Sequence, residues 1–598
     1  MSKLIAAALV VAVLLTPQAA AQTGPPSRSG QDSPQTTDAL RLEVIEELSE
    51  SLANDLLDLS IATRDRDERR TSEFFPAQLS AITFPSEPLQ VKHELKWIRT
   101  EVWMPDASKG GANARHAAVR PSKRAGSTSM IARKMTRDEF VHAWFAFLTH
   151  FAEIEDVRFK VKDALFADSA NVVLGAKVPT ARVGSTGRAR LAFYVIGRNR
   201  EGQREWARGM ANVNVRRAEN GRWQFKSFVL VSLDSMVATT DLFSEVSVPA
   251  GVAASLPPFG SPGNVGFVWY GAAAADFNRD GWIDLFVTGP ERSHLYLNDG
   301  QGRFQDASKD AGLQLLDSGV APLVLDYDND GDEDVFISAV GSQILLENRL
   351  IPDGKLEFRD VSLKAGVAVQ GIGFSAVAGD VNGDGRPDIY VTCYNHYGRV
   401  MPDSWFRATN GTPNLLFINQ GDGTFREEAE KWSVDDRRWS YAAEFVDVNG
   451  DGRLDLYVAN DFGEKGMFIN KGDRFVDEAQ DRGVLDPGNG MGVSFGDYNN
   501  DGLLDLHVTN MSSTAGNRIL SRIFPGSSPK DNVLIKLAAG NNVYQGTPGG
   551  YFRDVTADAG GFSGAWAWGG GFIDFDNDGW EDIFTPNGFI SGKSMKDT

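Results

Sequence analysis

The chain has 598 residues, 42% of them hydrophobic, with 80 acidic against 60 basic side chains and a formal net charge of −20. That length predicts several domains or one large repeat array, and a single cysteine, Cys393, excludes a disulfide framework. Seven histidines spread along the chain, without H-E-x-x-H, G-x-S-x-G or a phosphate-binding glycine loop, leave no recognisable catalytic machinery or Cys/His metal cluster.

Residues 1–21 carry Lys3, an apolar run from Leu4 to Leu15 and Ala19-Ala20-Ala21 before Gln22, the pattern of a cleaved secretory signal peptide. The run is too short to span a bilayer. Residues 22–37, rich in Pro, Ser, Gln and Gly, read as a disordered linker. Residues 38–64 place Leu40, Val44, Ile45, Leu48, Leu52, Leu56 and Leu57 at helical spacing in an acidic amphipathic helix. Residues 65–134 are expected to be irregular and basic.

Residues 135–235 predict a small α+β domain. Thr136 and Glu139 form a capping box opening a helix expected to run through Phe151, and alternating segments follow at Val157-Phe159-Val161, Leu191-Phe193-Val195, Val213-Val215 and Trp223-Phe225. One helix followed by a curved antiparallel sheet resembles the cone fold of nuclear transport factor 2-like and SnoaL-like domains. His142 and His150 are its candidate polar groups, read here as structural or surface histidines. Between Lys92 and Asp234 stand about 26 Lys/Arg against about 14 Asp/Glu, so this half is basic. A basic patch could bind nucleic acid, but the secretory leader favours docking onto an acidic partner or onto the rest of the chain.

From residue 243 onward one acidic motif, D-x-[DN]-x-D-G-x-x-D, recurs six times. Its candidate ligands are Asp276, Asn278, Asp280 and Asp284; Asp326, Asp328, Asp330 and Asp334; Asp380, Asn382, Asp384 and Asp388. The series continues with Asp447, Asn449, Asp451 and Asp455; Asp497, Asn499, Asp501 and Asp505; and Asp574, Asp576, Asp578 and Asp582. Calcium takes six to eight oxygen ligands in flexible geometry, and short acidic or amide side chains at alternate positions of a tight loop supply them, with a carbonyl from position seven. An EF-hand would need a Glu at position twelve and a following helix. Here the closing Asp is at position nine, and period-two runs such as Asp-Leu-Phe-Val-Thr and Asp-Val-Phe-Ile-Ser predict strands after it. The bland alternative is a metal-free Asx turn, but a plain turn does not need four acidic or amide groups at fixed offsets six times over. The 20 carboxylates at these positions match the net charge in size. Without cations they would repel one another and shift their pKa values upward.

Two further elements interleave with the loops. One starts with Phe, as in F-Q-D-A-S-K-D-A-G-L at Phe304, with copies at Phe243, Phe358, Phe425, Phe475 and Phe552. The other ends in Asn, as in L-Y-L-N-D-G at Leu295, with copies at Leu345, Leu416 and Met467 and a degenerate one at Asn541. Four short strands per unit of about 50 residues mark a β-propeller blade. Insertions at 394–412 and 512–540 read as rim loops.

These repeats resemble the FG-GAP/VCBS repeats of integrin-α-type propellers. Closer still, M-S-S-T-A-G-N-R-I at Met511 and A-W-G-G-G-F-I-D-F-D-N-D-G-W-E-D-I-F-T-P-N-G at Ala567 are similar to the cartilage acidic protein-like (ASPIC/UnbV-containing) family. The resemblance covers about 243–598. It implies a mainly β fold, a calcium-binding propeller with six motif-bearing blades or seven in a full-length form, Ca2+ as cofactor and the ligand set above. In that family more chain follows the last loop. Either 243–252 closes a short last blade, or the chain stops early.

The expected function is a secreted, extracellular or periplasmic, monomeric interaction module. It would bind a protein or glycan, without catalysis, nucleic acid or a transmembrane segment. The alternative is a polysaccharide-active or other hydrolytic enzyme built on the propeller or on the cone, with Asp403 as a candidate carboxylate. Trp405, Trp439, Tyr441, Trp566 and Trp568 are either partner anchors or packing between blades.

Overall fold

The computed structural model describes residues 37–105, 132–170, 181–241, 243–253, 271–289, 292–313, 319–396, 399–524, 526–528, 532–560 and 567–586. The expected leader, the linker up to residue 36, and Trp566 lie outside them. The chain divides into two compact units, with the boundary between Ser244 and Glu245.

In the first unit, helix α1 (Thr37–Arg64) buries Leu40, Val44, Leu48, Leu52, Leu56 and Leu59 in the stripe its spacing dictates. Eight strands follow. They are β1 (Gln78–Ile82), β2 (Gln90–Glu94), β3 (Ile98–Met104), β4 (Arg133–Thr136), β5 (Phe151–Phe166), β6 (Thr186–Asn199), β7 (Arg204–Arg217) and β8 (Trp223–Ala238). The sheet order is β2-β3-β8-β7-β6-β5, with β1 parallel to β8 and β4 antiparallel to β1. Residues 65–105 are therefore not irregular: they supply three strands. Strand β2 is exposed at every residue, so it carries no alternation from which to infer it.

A short helix, α2 (Glu68–Ser72), precedes the strands. A third, α3 (Arg137–Leu148), opens at the expected capping box. The Glu139 N–H donates to Thr136 Oγ1 at 3.1 Å, and the Thr136 N–H donates to Glu139 Oε2 at 2.7 Å. The helix stops at Leu148 and Phe151 begins β5, its ring still meeting Phe147 of the helix edge-on at 6.0 Å. Helices and sheet share one core crowded with rings. Phe84 lies 4.8 Å from Trp144 and 5.3 Å from Phe147, and Phe75 lies 4.9 Å from Phe140.

The second unit, mainly β and propeller-like, repeats an antiparallel set of four strands, the second and third sets joined into one eight-stranded sheet where Val340–Ser342 pairs with Gln370–Ile372. The first set runs Ala272–Ala275, Asp284–Val287, His294–Asn298 and Phe304–Asp306. The next four repeat the order, with second strands Asp334–Ser342, Asp388–Cys393, Asp455–Asn460 and Asp505–Asn510. A sixth blade shows two described strands, Gly571–Ile573 and Asp582–Phe584. The first strand of each blade packs against that of the next, from blade one to blade six.

The Phe motif locks consecutive blades together. Its Asp caps the turn that follows, as where the Ser308 and Ser362 N–H groups donate to Asp306 and Asp360. The turn ends in a left-handed glycine that lies flat against the next Phe strand: a Cβ on Gly366 would sit 2.8 Å from Phe425 O, and one on Gly483 2.5 Å from Phe552 O. The copy at Phe243 departs from the strand reading. Phe243 is 72% exposed, and the motif forms only a helical turn, Ser247–Ala250, whose Gly251 abuts Phe304 O.

Both insertions leave a second strand at the end remote from its acidic loop. In the first, Trp405 packs on Phe462 in a cluster with Tyr394, Ala408 and the fully buried Trp439. The second contains helices Thr514–Ile523 and Val533–Ala539 rather than a plain loop. Trp439 is thus core; Tyr441 stacks between Phe374 and Trp568.

Candidate metal centres

All six acidic loops have one construction. The position-one carboxylate wraps the turn, accepting the position-five N–H on Oδ1 at 3.0–3.1 Å and the glycine N–H on Oδ2 at 2.7–3.0 Å. The position-five Oδ1 accepts the position-seven N–H at 2.9–3.1 Å, which turns that peptide's carbonyl the other way. Glycine at position six has φ between 80° and 96°, the conformation expected there. Position four is also left-handed, at Arg279, Asn329, Gly383, Gly450, Asn500 and Asn577, which the motif reading left unassigned. Asn and Gly tolerate that region; Arg279 does not do so readily.

The closing carboxylates of loops one to five are buried, between 0% and 1% exposed. In loops one to four Oδ2 accepts the position-two N–H at 3.0–3.2 Å, from Phe277, Tyr327, Val381 and Val448. Oδ1 accepts the N–H of the strand-three Asn at 2.8–2.9 Å, from Asn298, Asn348, Asn419 and Asn470. In loop five Gly546 stands in place of that Asn and still donates its N–H to Asp505 at 2.8 Å. Asp582 of loop six is exposed.

The Asn side chain explains the third motif. Asn348, Asn419 and Asn470 donate Nδ2 to the position-eight carbonyl of their own loop and also to the position-two carbonyl of the preceding one. The latter bonds run to Phe277 O at 3.1 Å, Tyr327 O at 2.8 Å and Val381 O at 2.8 Å. The acidic loops are therefore stitched to one another.

Several features bear on a metal. Asp326, Asp328 and Asp334 each offer an oxygen within 4.8 Å of the others, as do Asp574, Asp576 and Asp578, a span that ligands on one calcium ion could occupy. Asp330 and Asp582 stand outside those trios; loops one, three, four and five carry Asn at position three. Burial pushes Asp334 up to about 9, and Asp388, Asp455 and Asp505 up to about 6, against the pull of their N–H donors. Asp332, at position seven of loop two, is a carboxylate the motif does not count. It is 1% exposed, raised to about 6 by burial with the Asp330 and Asp328 charges beside it, and its Oδ1 has no donor. An all-oxygen, electron-rich set with uncompensated buried charge fits a hard divalent cation. In loops three and four the position-seven residue is instead an arginine, whose guanidinium pairs with Asp384 and with Asp451, the latter at 2.5 Å.

The remaining candidates are otherwise engaged. Asp403 accepts the Thr409 N–H at 2.9 Å and its hydroxyl at 3.0 Å, shaping its own loop. His150 Nε2 lies 2.7 Å from the buried Glu205, and His142 is exposed.

The repeat unit carries FG-GAP repeats. Residues 276–337, 402–458 and 447–508 match the FG-GAP-like repeat and 372–399 the FG-GAP repeat. More particularly, the chain is homologous to human cartilage acidic protein 1, 26% identical over 237 residues. That match covers 36% of this chain and 35% of the relative, so the chain spans about a third of its length. Among solved structures, an Agrocybe aegerita lectin that recognises non-reducing terminal N-acetylglucosamine aligns at 14% identity and a TM-score of 0.30, over 72% of this chain and 94% of that one. Rhamnogalacturonan lyase YesW aligns at 13% identity and 0.30, over 72% and 68%.

Proposed function

We propose that the repeat unit is a secreted, calcium-stabilised propeller that serves as a protein- or glycan-binding module and performs no catalysis. The observation that carries this reading is the acidic loop itself, whose wrapping bonds recur six times and whose closing carboxylate is buried in the first five blades. A buried carboxylate without a counter-charge is costly, and a bound divalent cation removes that cost, so metal binding acts as folding energy. Catalytic use of the loops is disfavoured because carboxylates spent on a metal and on backbone N–H groups are poor general bases. The ring-filled interior of the first unit likewise argues against a substrate cavity enclosed within its core. No described helix is long and apolar enough to cross a membrane, in keeping with a module that works in solution or at a surface.

The test is thermal unfolding of the full chain in calcium and in EGTA, followed by calcium add-back. The melting temperature should fall by many degrees on chelation and recover on add-back. An unchanged curve would remove the metal from the reading. Binding to arrayed glycans and matrix proteins should then require calcium and leave the ligand intact; recovery of a cleaved glycan would overturn the non-catalytic assignment.

A further inference from the structure

The first unit neutralises most of its arginines locally. Arg158 pairs with Asp156, Arg204 with Glu155, Arg208 with Asp234, Arg217 with Asp55 and Arg222 with Asp58, at 2.7–3.4 Å. Several exposed cations have no ion pair among the described residues, and three of these share one groove. Arg41 on α1, Arg188 on β6 and Lys226 on β8 form no ion pair among the described residues, and all three line one open groove of about 430 Å³. That volume falls in the range of small-ligand sites.

The sheet builds the groove. Arg188 stands opposite Asn214 on β7, and Asn214 stands opposite Ser227 on β8. The pairing then slips, with Val215 opposite Phe225, so Lys226 is the extra residue of a β-bulge, the device that re-aims a side chain. Asp168, beside the groove-lining Ala167 and Ser169 in sequence, pairs with Arg182 at 3.3 Å. Asn214, which gives Nδ2 to Ser227 Oγ at 2.8 Å, and Thr186 add an amide and a hydroxyl to the lining. Leu165, Phe166 and Val215 complete the lining, the last two only 2% exposed.

We propose that this groove binds an acidic saccharide, one bearing carboxylate or sulfate groups. Guanidinium forks match the paired oxygens of either anion. Hydroxyl and amide groups beside the cations suit the hydroxyls at the rim of a sugar ring. The groove is open to solvent, so a ligand larger than the groove can still reach its cations. A nucleic acid is less well served: its bases need exposed rings to stack on, and Phe166 is only 2% exposed. In a chain of net charge −20, attraction of a polyanion must come from such a local cluster rather than from the overall field.

The experiment uses the full chain in calcium buffer at about 50 mM salt, a condition under which surface charge is weakly screened. Binding is measured to heparin, polygalacturonate, neutral dextran and a single-stranded oligonucleotide. Wild type should bind at least one of the two acidic polysaccharides and not dextran. R41Q/R188Q/K226Q should lose at least tenfold in that affinity, with an unchanged melting curve. The charge-matched K92Q/K309Q/K364Q, altered at exposed sites elsewhere, should lose less than twofold. The single change K226E, at an exposed bulge, should cost several-fold, and it guards against misfolding of the triple variant. Equal losses in the two triple variants, no effect of K226E, or equally tight oligonucleotide binding lost in the same variants would each overturn the proposal. Failure of calcium to stabilise the fold would leave it standing, because no acidic loop contributes to the groove.

Discussion

Asn419→Ala tests whether the acidic loops are coupled through the third strand. The Asn419 side chain is 2% exposed and makes three hydrogen bonds: Nδ2 to Tyr327 O at 2.8 Å, Nδ2 to Pro387 O at 3.3 Å, and Oδ1 from the Gly421 N–H at 2.9 Å. At about 1 kcal/mol net per neutral bond, with two carbonyls left buried and unpaired, the loss should be about 3 kcal/mol. For a unit of this size that corresponds to a drop of roughly 4 °C in melting temperature. The backbone N–H of residue 419 still reaches Asp388, so the loop itself should persist. The assay is calorimetric unfolding in saturating calcium and again in EGTA, with the calcium isotherm recorded alongside. The hydrogen bonds run unbroken from loop to loop: Asp334 to Tyr327, Tyr327 to Asn419, Asn419 to Asp388, Asp388 to Val381, and Val381 to Asn470. Filling one loop therefore stiffens a peptide that the next blade holds, and binding to loops two and three should be positively cooperative in wild type and less so in the variant. A loss under about 0.5 kcal/mol, the level of a neutral surface change, with an unaltered isotherm would refute the coupling.

Three other outcomes follow from the same geometry. Arg386→Gln removes a cation paired with a candidate ligand, Asp384, and should tighten calcium binding at loop three by roughly tenfold, about 1.4 kcal/mol of Coulomb energy; a chelator-competition titration showing unchanged or weaker binding would count against that ligand set. Arg279→Gly relieves a left-handed residue at φ 58° and should stabilise the chain by about 1 kcal/mol, read as a rise in melting temperature. In EGTA, acidification from pH 7 to 5 should raise the melting temperature. Asp388, Asp455 and Asp505 have folded pKa values near 6, above their ordinary 3.8, so the folded state binds more protons than the unfolded one across that interval and stability falls as pH rises. In saturating calcium the trend should reverse, because protons compete with the metal; a parallel pH profile in both buffers would contradict the assignment.

The repeat unit was legible in the sequence because each blade restates the same chemistry. Period-two runs after each loop mark second strands, and the glycine at position six marks the turn. Left-handed position four was harder to see, since Arg279 masks a preference that Asn and Gly show in the other five loops. The first unit was less legible for a physical reason. Strand β2 is exposed along its length and β4 has four residues, one of them buried, so neither presents the alternation on which strand reading depends. Helix α1 gave most of its buried stripe, though Leu57 is half-buried and Leu59 fully buried, and nothing in that stripe says which sheet covers it.

The third-strand Asn shows where sequence reading stops and geometry takes over. Its recurrence looks like turn punctuation, and it does serve the turn through Oδ1, as at Asn470 with the Gly472 N–H at 2.8 Å. Its amide also binds two carbonyls on different blades, a task that no local pattern encodes. Blade five is the informative exception. With Gly546 in that position it keeps the backbone bond to Asp505 but has no side chain to reach the Val448 carbonyl, and Gly550 approaches that carbonyl so closely that a Cβ would lie 2.7 Å from it. The stitch between loops is therefore replaced there by close backbone packing, at the blade that carries the 512–540 insertion.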